Sequence, residues 1–154
     1  MPRAARVVSM TLARYLVFAA LAACATPEVA LERARADAQA GHAAAALRRF
    51  DAVAARKDAG DAARIDALMG ATHACDALHD EACARAHLER AIARDVPGLV
   101  EPALFELAER VRLEDSARAM SLYYRAAGGA DKYRNRAWPY QAAMDRILQI
   151  SMSR

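Results

Sequence analysis

Apolar side chains along this chain recur every three to four positions, the spacing of one face of an α-helix. Ala46, Leu47, Phe50, Val53 and Ala54 form one such stripe, and Ile65, Leu68, Met69 and Thr72 a second. Ala84, Leu88, Ala91 and Ile92 follow, then Leu104, Leu107 and Val111. Start and stop signals bracket the stripes. In Thr26-Pro27-Glu28, Thr26 can cap, Pro27 suits a first helical turn, and Glu28 sits at the positive end of the helix dipole. Gly41 stops that helix, and Asp58-Ala59-Gly60 makes a turn. Asp61, Asp80 and Asp115 stand where helices three, four and six need caps. Val96-Pro97-Gly98 breaks the chain before helix five, Gly128-Gly129 ends helix six, and Pro139 opens helix seven. The pattern predicts helices over about 27–40, 43–57, 62–77, 81–94, 101–112, 116–127 and 139–150. This is an all-α fold of antiparallel helix pairs joined by short turns.

The second helices of the pairs share a triad. Ala46-x3-Phe50-x2-Val53 recurs as Ala84-x3-Leu88-x2-Ala91 and as Ala119-x3-Tyr123-x2-Ala126, at offsets of 38 and 35 residues. A small residue lets neighbouring helices approach, and a bulky one fills the space between units. Gly41 before the first triad, and the Met69-Gly70 and Leu107-Ala108 pairs in first helices, complete a pattern that resembles the tetratricopeptide repeat. The stretch from Ser121 to Asp131 is also similar to the related Sel1-type repeat. The resemblance spans about residues 28–130 and implies a short α-solenoid of three units with a C-terminal capping helix. It departs from the family in lacking the tryptophan of the first helix and in a longer loop in the second unit. Such repeats hold a peptide or helix of another protein in a concave groove lined by their first helices. The resemblance places Arg35 and Gln39, Arg64, and Phe105, Glu109 and Arg112 in that groove.

The first 24 residues follow other rules. Arg3, Arg6 and Arg14 precede nine uncharged, mostly apolar residues, Tyr15 to Ala23, and no acid stands among them. Nine helical residues are too short for a bilayer core of ~30 Å, so the layout reads as a secretory signal and not a span. Leu21-Ala22-Ala23-Cys24 resembles the lipobox of bacterial lipoproteins. That resemblance implies cleavage before Cys24 and a covalent lipid on it. By resemblance to Gram-negative lipoproteins, Ala25 in place of Asp implies the outer membrane, with the domain facing the periplasm. The expected organisation is a signal over 1–23, a lipidated tether over 24–27 and a repeat domain over 28–154.

Charge then changes meaning. The chain carries 22 basic and 19 acidic residues, a formal +3. Three of the basic residues precede Cys24, so the remainder is formally neutral and gives no reason to expect nucleic acid. Acids and arginines alternate at helical spacing, as on a solvated face. No phosphate-binding glycine loop, nucleophile elbow or His-Glu-x-x-His stretch is present. We therefore expect a binding module and not an enzyme. It would carry no cofactor beyond the lipid, act on no small-molecule substrate, and have two partners: the membrane and another envelope protein.

Cys75 and Cys83 are the remaining candidates for chemistry. They fall on either side of the turn between helices three and four, where a disulfide is feasible, and export would favour one. The alternative is metal: Cys75, His79, Cys83 and His87 are spaced by four and could form a Cys2His2 zinc set. Buried, unlinked thiols are the third reading.

Overall fold

Turns of three to eight residues separate the first six helices, so each folds back against its predecessor. The computed structural model describes residues 25–129 and 137–152. These form helices α1 (Pro27–Gln39), α2 (Ala43–Ala55), α3 (Asp61–Ala77), α4 (Glu81–Ile92), α5 (Glu101–Val111), α6 (Ser116–Gly129) and α7 (Ala137–Met152), with no strand among the described residues. Each helix packs on the next in sequence; α3 also reaches back to α1, and α7 to α5. The result is a short helical solenoid. The signal over 1–23 and the candidate lipid site Cys24 lie outside the described residues.

The three triads form the spine of the core. All nine of their residues are 3% exposed or less, with Tyr123 and Leu88 completely buried. Alanine removes little apolar area from water, so the stabilisation comes from the larger side chains that alanines allow to approach. Phe50 packs over α3 so closely that a β-carbon on Gly70 would stand 2.5 Å from its ring. Gly70 is therefore required by contact, and its place mid-helix costs about 1 kcal/mol of helix propensity. Tyr123 pairs with Phe105 at 5.7 Å between ring centroids. Its hydroxyl donates to Glu109 Oε1 at 2.6 Å.

Local signals act as expected at three of the four helix starts. Thr26 Oγ1 accepts from the Val29 amide, Asp80 Oδ1 from Cys83 and Asp115 Oδ1 from Arg118. Asp61 differs: α3 begins one residue earlier than its expected capping role requires. Gly60, in extended conformation, is the N-cap, and Asp61 lies inside the first turn. The Gly60 carbonyl accepts from the Arg64 amide, so the Asp61 carboxylate faces Arg64 and Arg94 instead of the helix amides. The α1 and α3 ends share one device. Gly41 and His79 take positive φ (78° and 56°). The amide after each bonds back five residues, His42 to Asp37 and Asp80 to Cys75, each at 2.9 Å. This closes both helices by the Schellman pattern.

Replacing Gly70 by Ala tests the contact with Phe50. The gain in helix propensity is about 1 kcal/mol, and overpacking a buried ring costs about 1–3 kcal/mol. We expect net destabilisation of about 1 kcal/mol by denaturant titration. An unchanged or higher midpoint would show that the ring moves aside freely.

Candidate functional site

A wedge opens where α1 and α3 diverge above Phe50. Its volume is about 250 Å³, its floor is Phe50 and Met69, and its rim carries Arg35, Gln39, Asp66 and His73. Small residues make the opening, because Ala38 and Gly70 leave the two helix surfaces without side chains to close it. Arg35 spans the mouth, donating to Asp66 Oδ2 at 2.6 Å from one end of its guanidinium and to Glu32 from the other. Both pairs are largely solvated, so each contributes at most about 1 kcal/mol and can be exchanged for a ligand's charges.

The remaining residues expected in a groove are placed differently. Arg64 lies one turn before the wedge, and its guanidinium donates to the Arg56 carbonyl at 3.0 and 2.7 Å and to Lys57 at 3.1 Å. It closes the C-terminal end of α2. Phe105 and Glu109 lie on α5 and Arg112 caps its end, and none of the three lines the wedge. Glu109 holds three elements at once, accepting from Tyr123 of α6 and from Arg146 of α7 at 2.9 Å, with Arg112 at 3.3 Å. Burial, with the negative Glu109 beside it, pushes the Tyr123 phenol well above its ordinary pKa. His73 joins the two clusters: its Nε2 lies 3.5 Å from Glu106 on α5. Sequence reading did not pick out a second opening of about 430 Å³ on the far side, where Arg118 and Arg125 flank Leu107 and Leu122. The arginine spacing across α6 was the available signal.

The cysteine turn is built by backbone geometry. The Asp80 amide donates to the Cys75 carbonyl, and the Asp80 carboxylate accepts from the Cys83 amide at 2.9 Å. One residue thus fixes both cysteines, with Cα atoms 5.7 Å apart and Sγ atoms at bonding distance, 2.02 Å. In the chain-entropy account a loop this short contributes about 2–3 kcal/mol. The four-residue ladder does not converge as a whole. His79 is the exposed, positive-φ residue of the turn, whereas His87 is buried beside the sulfurs, its Nδ1 3.7 Å from each. Nδ1 also lies 2.9 Å from the Cys83 carbonyl oxygen. Nε2 meets Asp51 Oδ1 of α2 at 3.0 Å, and Arg90 donates to the same oxygen at 2.9 Å. Burial raises the Asp51 pKa, but the hydrogen bonds from Arg90 and His87 outweigh it and keep the carboxyl below its usual range. The chain has no match among family models, curated proteins or solved structures.

Two outcomes follow. The hydrogen bond to Glu106 raises the His73 pKa above its ordinary 6.5 against the opposing effect of burial. The folded chain therefore binds the proton more tightly than the unfolded one. The stabilisation is fully present below about pH 6.5 and is lost as pH rises through the raised value. His73→Gln should flatten the stability difference between pH 6 and pH 8, and an unaltered difference would place its origin elsewhere. Separately, His79→Gly relieves a left-handed conformation that costs a non-glycine residue about 1–2 kcal/mol. After the entropy of the added glycine, thermal unfolding should show a gain of about 0.5–1 kcal/mol; a loss would mean that the imidazole itself stabilises the turn.

Proposed function

We propose that this chain is a lipid-anchored, periplasm-facing adaptor that docks a segment of another envelope protein in the wedge between α1 and α3. The wedge is the observation that carries the reading. Its apolar floor sits inside a charged rim, which suits an amphipathic peptide or helix presenting one apolar anchor between polar flanks. Its volume, about 250 Å³, is below the ~300–1,000 Å³ of small-molecule sites and favours a single anchoring side chain. The three-unit resemblance supports the same face, since Arg35 and Gln39 are first-helix positions. Lipid on Cys24 would hold the domain at the outer membrane, each buried methylene contributing ~0.8 kcal/mol. The role is docking and not catalysis: the domain would bring a component of an assembly or secretion machine to the membrane.

Photocrosslinking in the cell tests this directly. A crosslinker at Gln39 should capture one dominant protein, and the same group at exposed Arg48 on α2 should not. Met69→Glu, which places a charge on the floor, should abolish the product while circular dichroism remains helical. Equal capture from both positions, or capture that survives Met69→Glu, would refute the wedge as the docking site. Cys24→Ala should move the protein out of the membrane fraction; retention there would refute the anchor.

A further inference from the structure

We infer that reduction of the Cys75–Cys83 pair converts the α3–α4 turn into a zinc site, with ligands Cys75 Sγ, Cys83 Sγ and His87 Nδ1, and Asp51 orienting the imidazole from behind. The site is separate from the α1–α3 wedge and does not depend on the docking role.

The imidazole nitrogen is already spaced from both sulfurs for this ion. Zinc binds thiolate at about 2.3 Å and imidazole at about 2.0–2.1 Å, so tetrahedral geometry puts sulfur and nitrogen about 3.5–3.6 Å apart. His87 Nδ1 stands 3.7 Å from Cys75 Sγ and 3.7 Å from Cys83 Sγ. The three donors, all within 4.8 Å of one another, form the metal-competent His/Cys group among the described residues. Asp51 supplies what a zinc-bound histidine ordinarily has on its other nitrogen, a carboxylate accepting from Nε2–H. Nδ1 also lies 2.9 Å from the Cys83 carbonyl oxygen, so metal binding must displace that contact; the 3.0 Å hydrogen bond to Asp51 keeps a proton on Nε2 and leaves the Nδ1 lone pair for the ion. Arg90 fixes Asp51 in turn.

The turn keeps its shape without the sulfur bond. The Asp80 hydrogen bonds to the Cys75 carbonyl and from the Cys83 amide involve no sulfur. Side-chain rotation then lets the sulfurs separate to the ~3.8 Å of a tetrahedral pair. Access is through Cys83, which is half-buried, whereas Cys75 and His87 are covered.

The chemistry balances in two steps. A dithiol reductant attacks the disulfide, becomes a disulfide itself, and leaves two thiols on the chain. Zinc then displaces the two thiol protons, binds the thiolates and the neutral imidazole, and takes water as its fourth ligand. His79 has no part, because it is the exposed residue that closes α3.

The test uses the full-length chain in detergent, reduced by a dithiol and desalted under anaerobic conditions. Cobalt(II) is titrated as a visible probe and then displaced by zinc. We expect one ion per reduced chain, with thiolate-to-cobalt charge transfer and the intense bands of a tetrahedral site, and none per oxidised chain. Cys83→Ser and His87→Ala should each weaken binding at least tenfold. Asp51→Asn, a change at a partly solvated position, should weaken it about 10–100-fold. His79→Ala should leave it unchanged. A reduced chain that stays helical and binds no ion overturns the inference, as does binding that is lost with His79→Ala or unaffected by Asp51→Asn.

Discussion

Everything in this molecule depends on how closely its helices approach. Ala46, Ala84, Ala103, Ala108, Ala119 and Ala126 are completely buried, and each marks a place where one backbone leans on another. Dispersion falls steeply with separation, so an alanine-rich core holds only if those contacts are tight throughout. One large side chain per second helix then fills the space that the alanines leave. Phe50, Leu88 and Tyr123 perform that task at equivalent positions, and the ring of Phe50 sets the floor of the wedge. Core and candidate binding surface are therefore two faces of one residue.

Arginine supplies the next level of order. Arg35 reaches Asp66, Arg110 reaches Asp76 and Glu81, Arg85 reaches Glu81 and Glu114, and Arg118 reaches Glu89. These pairs mostly join helices about thirty residues apart in sequence, so they fix how one unit sits on the next. Solvent screening keeps each contribution small. Their collective effect is on how one unit is set against the next.

Much of the architecture was legible in the residues. Periodicity, together with the start and stop signals, located each helix among the described residues, and all three triads are core. Thr26, Asp80 and Asp115 cap as their chemistry suggests, because a short acceptor before a helix has little else to bond. Asp61 was misread because capping depends on backbone conformation as well as residue type, and Gly60 beside it holds the extended geometry. The site was only partly legible. Spacing by four put His79 and His87 in one ladder, but His79 lies in the turn beyond α3 and His87 on α4, so one is exposed and the other buried. Asp51 could not be found this way: it belongs to α2, and its proximity to His87 is a product of the stacking of units. Arg64 shares a helix face with plausible groove residues, yet the bare carbonyls at the end of α2 are nearer.

The start of α1 has a mechanical meaning. Arg56 at the end of α2 donates to the Ala25 carbonyl at 2.8 Å and pairs with Asp58 at 2.7 Å, so the chain is clamped to the folded body one residue after Cys24. A lipid attached at Cys24 would then have almost no slack beneath it. On the proposed anchor, the domain would stand close to the bilayer instead of swinging on a leash above it. The height of every other surface would follow from that single foothold.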